Sequence, residues 1–156
     1  RFYFLLYSIS QSTPNNQTVC SGVATSAVTW TSSLSPSTYS WTLVSATAGL
    51  TGYVSTPPIG MGNLPSMTIT NPGNAQGTVV YSVIPNANNC PGPAFQYTIY
   101  VNPLPNVILP ANQTICSNTP TTAINLTSNL SGTTFTWTTI TNGVTGVTSL
   151  TSGNSI

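Results

Sequence analysis

Thiols and hydroxyls are the side chains of this sequence that could do chemistry. The thiols belong to Cys20, Cys90 and Cys116, and the hydroxyls belong to 28 Thr, 20 Ser and 7 Tyr residues. A nucleophilic hydroxyl or thiol needs a neighbouring general base, and acid–base catalysis needs a group that titrates near neutral pH. The sequence has no Asp, Glu or His, and Arg1 is its single Arg or Lys. We therefore predict that the chain is not an enzyme.

The sequence also lacks the side chains for binding metals, cofactors and nucleic acid. Calcium and magnesium sites use carboxylates, and zinc sites use clusters of His, Cys or carboxylate groups. The three cysteines are spread over 96 residues, and Arg1 alone cannot provide the cationic surface that binds nucleic acid. No stretch approaches the ~20 apolar residues of a membrane-spanning helix. We expect no cofactor, no metal, no nucleic-acid partner and no membrane span.

Uncharged polar groups take the place of charges on the surface of this protein. Charged residues make up 1% of the chain, whereas Thr, Ser and Asn are abundant. A neutral surface lacks the like-charge repulsion that keeps copies apart, and its contacts depend little on salt. This composition favours an extracellular or cell-surface location and association with neighbouring repeats or identical chains.

The cysteines belong to a motif that occurs twice. Asn-Gln-Thr-Val-Cys-Ser contains Cys20, and Asn-Gln-Thr-Ile-Cys-Ser contains Cys116, 96 residues later. Trp41 and Trp137 each follow their cysteine by 21 residues. A fixed internal period indicates tandem copies of one structural unit. The sequence therefore predicts tandem repeats with a period of about 96 residues.

The period divides the chain into three stretches. We predict a complete repeat over residues 11–103 and the N-terminal half of a second repeat over residues 104–156. Residues 1–10 are predicted to form a strand that closes a preceding repeat or pairs with a neighbouring chain. The junction between the repeats contains Pro103 and Pro105, and two prolines this close favour a stiff, extended connection. An ordinary strand-ending turn is the alternative.

Alternating apolar residues are the main secondary-structure signal. Tyr97, Ile99 and Val101 alternate with Gln96 and Thr98, which is typical of a half-buried strand. Thr, Ser, Asn, Gly and Pro are poor helix formers. We therefore predict an all-β, immunoglobulin-like β-sandwich with about seven short strands per repeat. The predicted strands lie near residues 2–10, 18–20, 26–31, 38–44, 52–55, 66–70, 78–84, 95–102, 107–109, 115–116, 123–127, 134–140 and 144–149.

The cysteines are predicted to have structural roles. Cys20 and Cys90 enclose one repeat, and a disulfide across about 70 residues would stabilise it by roughly 4 kcal/mol in the chain-entropy model. The partner of Cys116 would lie 96 residues beyond Cys90, past Ile156, so Cys116 is expected to be unpaired. The alternative is that all three cysteines are buried free thiols.

The three tryptophans are predicted to be core anchors. Trp41 and Trp137 stand in segments that resemble the central strand of a sandwich. Trp30 corresponds to Leu126 in the period, and an exchange between two large apolar residues indicates packing rather than recognition. A sugar-stacking role for Trp41 and Trp137 is the alternative.

Four segments of the chain carry a family resemblance: Asn-Gln-Thr-Val-Cys-Ser at 16–21, Ile-Gly-Met-Gly-Asn-Leu-Pro-Ser at 59–66, Val-Ile-Pro-Asn-Ala-Asn-Asn-Cys-Pro-Gly at 83–92 and Tyr-Thr-Ile-Tyr-Val-Asn-Pro-Leu-Pro at 97–105. In this order they resemble the PKD-like (Ig-like) repeats of very large secreted Bacteroidota surface proteins. Those proteins include gliding-motility-type adhesins that the type IX secretion system exports. The resemblance covers about residues 11–151, and it implies a β-sandwich in a tandem array on, or released from, the cell surface. It implies no ligand.

The predicted function is a non-catalytic structural module of an extracellular filament or adhesin, built from stacked β-sandwich repeats. The alternative is a carbohydrate- or surface-binding module with surface glycans as partners, for which the candidate aromatic residues are Tyr7, Tyr53 and Tyr100. A less favoured alternative is ice or mineral-surface binding by a Thr array, for which the candidates are Thr134, Thr136 and Thr138.

Overall fold

The computed structural model describes residues 10–55, 60–147 and 152–156. The chain divides into two compact units, Arg1–Leu104 (unit 1) and Pro105–Ile156 (unit 2). The regular elements of the described residues are all strands, which confirms the predicted all-β class. They are β1 (Ser10–Thr13), β2 (Gln17–Cys20), β3 (Thr29–Ser32), β4 (Thr38–Ala46), β5 (Gly60–Met61), β6 (Gly77–Ala87), β7 (Cys90–Pro91), β8 (Phe95–Asn102), β9 (Val107–Ile108) and β10 (Thr127–Ser128). The strand predicted over residues 1–10 lies, apart from Ser10, outside the described residues.

A six-stranded sheet is the main element of unit 1. Its strands follow the order β2-β8-β6-β4-β5, and β7 pairs with β6. β2 runs parallel to β8, whereas the other neighbours are antiparallel. Successive side chains of a strand point to opposite faces, so the alternating pattern buries one face of each long strand. On β6 that face presents Val79, Tyr81 and Val83, each 0% exposed.

β6 continues further than the sequence predicts. The predicted strand ends near residue 84, but Pro85 still pairs with Tyr39 of β4 inside the ladder. A proline lacks the backbone donor but keeps its carbonyl acceptor, and the Pro85 carbonyl accepts a hydrogen bond. The turn falls instead at Asn88 and Asn89, whose φ angles are 51° and 63°. Asn tolerates this left-handed region better than most residues do.

A second layer covers the buried face of this sheet. It consists of β1 paired with β3 and of short bridged segments. The bridges join Ala24 to Thr68, Val28 to Leu64 and Thr51 to Thr70. Val28, Leu64 and Ile69 are 0% exposed and lie in the same apolar cluster as the buried residues of β4, β6 and β8. Two strand layers around one apolar core make unit 1 a β-sandwich, as predicted. The strand predicted near 66–70 forms only bridges, at Thr68 and Thr70, and residues 52–55 form none, since the nearest bridge is at Thr51.

Unit 2 contains shorter pairings. β9 pairs with β10, and Ile124 exchanges two backbone hydrogen bonds with Ile156, at 2.9 and 3.0 Å. A strand persists only beside ladder partners, and two short strands alone are marginally stable. Three predicted strands are therefore absent from the described part of unit 2, those near residues 115–116, 134–140 and 144–149.

Candidate functional site

The three cysteines are free and exposed, so the predicted disulfide between Cys20 and Cys90 is wrong. Cys20 lies opposite Asn102, at the end of the sheet where β6 begins. Cys90 lies opposite Ala87, at the end of β6. A strand rises about 3.3 Å per residue, so the eleven-residue β6 separates these ends by about 33 Å. A disulfide requires Cα atoms within about 7 Å.

Cys116 is also free and exposed. Because Cys20 at the equivalent position is free too, a missing partner is not needed to explain Cys116. The alternative prediction, that all three cysteines are buried free thiols, is wrong as well, because all three residues are exposed. No group of three or more His, Cys, Asp or Glu residues that could hold a metal ion occurs within the described ranges.

The structure places two of the three tryptophans in the core of unit 1. Trp30 and Trp41 are each 6% exposed. Trp30 packs edge-on against Phe95 and Tyr97, with ring centroids 5.7 and 5.4 Å apart, and its Nε1 donates to the Gly62 carbonyl at 2.9 Å. With only 6% of its surface exposed, Trp30 offers no open face to a sugar.

Trp41 is enclosed by its neighbours on both sides. Its ring lies 5.6 Å from that of Tyr81, in an edge-to-face arrangement. A Cβ atom at Gly60 would come within 2.1 Å of the Trp41 ring, so this position requires glycine. The Trp41 Nε1–H group is buried without a hydrogen-bond partner among the described residues. Trp137, the third predicted anchor, is only half-buried.

Gln17 explains why the repeated motif contains glutamine. Its Oε1 accepts a hydrogen bond from the Ser26 backbone N–H at 2.8 Å, and its Nε2 donates to the Ser26 carbonyl at 2.9 Å. The same Nε2 donates to the Tyr97 hydroxyl at 2.8 Å. Burial raises the pKa of Tyr97, and the hydrogen bond from Gln17 partly offsets this effect. The amide therefore joins the two layers and leaves Tyr97 a neutral structural group.

The same glutamine pair recurs in unit 2. Gln113 accepts from the Thr122 backbone N–H at 3.0 Å and donates to the Thr122 carbonyl at 2.8 Å. Gln113 and Thr122 follow Gln17 and Ser26 by 96 residues each. The repeated motif is thus a repeated hydrogen-bonded turn rather than a reactive site.

Asn71 is a second polar anchor, and no motif of the sequence predicts it. Its backbone N–H donates to Ser21 Oγ at 2.8 Å, and its Nδ2 donates to the carbonyls of Val101 and Ala75 at 2.8 and 2.9 Å. Its Oδ1 accepts from the Gly73 N–H at 2.9 Å. Every polar atom of this buried amide is used, which is the usual condition for burying one.

Tyr81 is the most strongly perturbed titratable group. Burial raises its pKa to about 12, although the hydrogen bond from its hydroxyl to the Val54 carbonyl (2.9 Å) acts in the opposite direction. A tyrosine accepts a proton as a general base only in its deprotonated form, which requires a pKa near the working pH. Tyr81 therefore stays protonated near neutral pH, and its hydroxyl serves as a structural hydrogen-bond donor to Val54.

The candidate ligand-binding residues that the structure describes lie in different local settings. Tyr53 is half-buried and packs against the core, and Tyr100 lies on the outer face of β8 between Thr18 and Thr78. Tyr7 lies outside the described residues. The predicted Thr array is exposed but is not a strand, so it forms no flat ladder; its members are Thr134, Thr136 and Thr138.

An open groove of about 420 Å³ lies beside the short strand β5. Met61 in its wall is 70% exposed, and Asn63 supplies an amide. Burial raises the pKa of Tyr39, so this third wall residue presents a neutral phenol. Such a groove suits a small uncharged polar ligand better than an ion.

The junction prolines fall on either side of the division between the units. Unit 1 ends at Leu104, so Pro103 belongs to unit 1 and Pro105 to unit 2. Pro103 is half-buried, whereas Pro105 is exposed.

Comparison with known proteins gives a family match for part of this chain. Residues 17–105 match the family described as PKD-like domain, and this range covers more than half of the chain. No curated protein and no solved structure matches. The described part of the chain has no helix of the length and apolar character needed to cross a membrane.

Proposed function

The chain belongs to the PKD-like domain family, and from this we propose that it is a structural module of an extracellular, cell-surface filament or adhesin. Modules of this family are generally non-catalytic and extracellular. The finer part of the proposal is that the module stands in a tandem array in a large Bacteroidota surface protein, exported by type IX secretion. The four motif segments resembling such proteins support this part.

The observation that carries the proposal is the use of polar side chains. Gln17, Asn71 and Tyr81 are buried polar groups in unit 1, and each is bonded to backbone or to another layer. Such networks fix a unique packing of the core. Because these networks use buried polar groups to hold the core together, they support a contribution of shape and stiffness.

The neutral surface supports assembly through weak, salt-insensitive contacts. The chain carries a formal net charge of +1. Contacts between hydroxyl and amide groups are screened little by salt, unlike contacts between exposed charges. We therefore expect self-association, or association with neighbouring repeats, to change little between low and physiological ionic strength.

Electron microscopy of the purified chain tests the proposal. An elongated particle or fibre is expected, with an axial spacing of one or two sandwich lengths, about 35 Å each for an eleven-residue strand. The spacing should be the same at low and physiological salt. Dispersed compact particles that bind glycans would contradict the structural role.

A carbohydrate-binding module is the second candidate, because the groove beside β5 combines Tyr39, Met61 and Asn63. An aromatic wall with one amide is a common way to hold a neutral sugar. A glycan array probed with the chain and with Asn63→Ala tests this role, and Asn142→Ala, outside the groove, is the matched control. At least tenfold weaker binding of Asn63→Ala alone would support it. Equal binding by both variants would exclude the groove.

A further inference from the structure

The second layer of unit 1 covers one face of the six-stranded sheet, and the side chains of the opposite face alternate with the buried ones. On β6 this opposite face presents Val80, Ser82 and Ile84. Ile84 is 37% exposed, and Val80 and Ser82 are half-buried. We call this side of the sheet the outer face. It lies wholly within unit 1.

The apolar side chains of the outer face lie on its middle strand. β6 has two strands on either side of it in the order β2-β8-β6-β4-β5. Ile84 and Val80 stand opposite Ser40 and Ser45 of β4, and Val80 also stands opposite Thr98 of β8. The outer face therefore has an apolar centre with hydroxyl groups around it. An apolar centre with a polar rim is the usual composition of a protein–protein interface.

The rim of the outer face is uncharged and can pair with a copy of itself. Hydroxyl and amide groups both donate and accept hydrogen bonds. Two identical rims can therefore bond to each other, and covering them leaves no unpaired charge, which would be costly. The rim residues are Ser40, Thr42 and Ser45 on β4 and Gln96, Thr98 and Tyr100 on β8.

The size of the outer face sets the strength of the contact. β6 has eleven residues and β4 has nine, whereas β5 has two. With strands about 4.8 Å apart and a rise of about 3.3 Å per residue, the face measures on the order of 500 Å². Two such faces together would bury on the order of 1,000 Å², the lower limit for a specific interface. This area suits a weak and reversible contact.

We propose that the outer face of unit 1 binds the same face of a second copy of this chain, in a weak dimer whose twofold axis runs along β6. A twofold interface uses the same surface patch on both copies. Each outward side chain of β6 then faces its own counterpart, so that Ile84 meets Ile84 and Val80 meets Val80. The inference deepens the proposed function by naming the surface of self-association, and it rests on that function only for the expectation that copies associate.

Sedimentation of the full chain tests the dimer. A reductant prevents disulfides between the exposed thiols. We expect a dimer fraction that rises between about 10 µM and about 1 mM. Ile84→Asp should weaken dimer formation at least tenfold, because it places two carboxylates opposite each other. The matched control is Val23→Asp, which adds the same charge at a position 54% exposed in the turn after β2 and outside the outer face, and it should leave dimer formation unchanged.

A mixture of oppositely charged variants tests the position of the axis. Ile84→Asp and Ile84→Arg should each remain monomeric at concentrations where the unsubstituted chain dimerises. Their equimolar mixture should associate at least tenfold more tightly than either variant alone, because opposite charges then meet across the axis. Salt should weaken association of the mixture and leave the unsubstituted dimer unchanged. A mixture that associates no better than its components would overturn the proposal.

Cross-linking gives a second measurement. Hydrogen exchange shows whether unit 1 of each variant folds, and cross-linking decides if Ile84→Asp unfolds it. In a chain with all three cysteines replaced by Ser, Ser82→Cys is compared with Thr31→Cys, at an exposed position of β3 in the second layer. Packed sheets lie about 10 Å apart, too far for a disulfide, so a short bismaleimide is the reagent. Ser82→Cys should form cross-linked dimers at least tenfold faster, and equal rates would overturn the proposal.

The remaining outcomes separate this proposal from the proposed function. Self-association that Ile84→Asp and Val23→Asp weaken equally would overturn the role of the outer face and leave self-association standing. A chain that stays monomeric up to about 1 mM would overturn the dimer. The structural role would still be judged by the elongated particle and axial spacing in electron microscopy.

Discussion

Trp41 and Trp137 stand at equivalent positions of the 96-residue period, yet their surroundings differ. Trp41 is 6% exposed and lies edge-on to Tyr81, whereas Trp137 is half-buried. Around Trp41, β6 and β8 form the centre of a six-stranded sheet. The described residues around Trp137 form isolated bridges and one short pair of strands.

The turns of the two units are nevertheless alike. Four hydrogen-bonded pairs of unit 1 recur in unit 2 at a spacing of 96 residues. They are Gln17–Ser26 and Gln113–Thr122, Cys20–Val23 and Cys116–Thr119, Ser32–Leu34 and Ser128–Leu130, and Leu34–Ser37 and Leu130–Thr133. Each joins residues close in sequence, so local sequence suffices to form it. The core contacts of Trp41 and Trp30 join residues far apart in sequence, because their partners lie on β6 and β8.

The largest expected difference between the units is the effect of removing an indole. Trp41→Ala should lower the free energy of unfolding of unit 1 by about 3–5 kcal/mol, because it leaves a cavity in a closed core. Trp137→Ala should cost about 1 kcal/mol or less, since its site is already half open. Both losses in unfolding free energy can be measured by urea titration, with hydrogen exchange reporting the unfolding of each unit separately. Equal costs would contradict the difference in burial.

The two glutamines provide a finer comparison. Gln17→Ala should cost about 1–3 kcal/mol, because it removes the buried hydrogen bond to Tyr97 as well as the pair with Ser26. Gln113→Ala removes only the exposed pair with Thr122 and should cost under about 1 kcal/mol. Thermal unfolding of the two variants is the measurement. A larger loss from Gln113 would refute the assignment of Gln17 as the link between layers.

High pH should affect unit 1 alone. The pKa of Tyr81 is raised to about 12 from an ordinary value near 10, so burial favours its neutral form. The corresponding stability is fully present below pH 10 and is lost as the pH rises towards 12. Unit 2 contains no tyrosine and should not share this loss. The measurement is hydrogen exchange between pH 9 and 12, corrected for intrinsic exchange rates. A parallel loss of stability in both units would contradict the prediction.

The smallest expected effect concerns the thiols. Because all three cysteines are free and exposed, adding a reductant should leave the midpoint of thermal unfolding unchanged. Cys20→Ser and Cys116→Ser should each change stability by less than about 0.5 kcal/mol. Labelling with a maleimide should modify all three thiols in the folded chain. A midpoint of thermal unfolding that falls on adding reductant would contradict this prediction and support a disulfide between Cys20 and Cys90.

The reliable sequence predictions rest on patterns within single strands. The bounds of β8 match the predicted range 95–102, because alternation along one strand already specifies its buried face. The disulfide prediction failed because spacing along the chain does not show which end of a sheet a residue reaches. Asn71 was missed as an anchor because its partners, Ser21 and Val101, are distant in sequence.

The surroundings of the candidate binding residues also depend on tertiary structure. The sequence around Tyr53 does not distinguish an exposed ring from a packed one, and in the structure Tyr53 packs against the core. The groove at Tyr39, Met61 and Asn63 combines residues from two strands and a loop. No short motif could reveal such a combination.

The sequence by itself determined the all-β class, the period of 96 and the absence of Asp, Glu, His and Lys side chains. These properties follow from residue types and from spacings within short segments. Only the tertiary structure decided that Cys20 and Cys90 lie at opposite ends of a sheet and that Trp41 is enclosed whereas Trp137 is not. The physical reason is that burial and register depend on which strands become neighbours. In unit 1 the central neighbours β6 and β8 come from a part of the chain distant from the residues they cover.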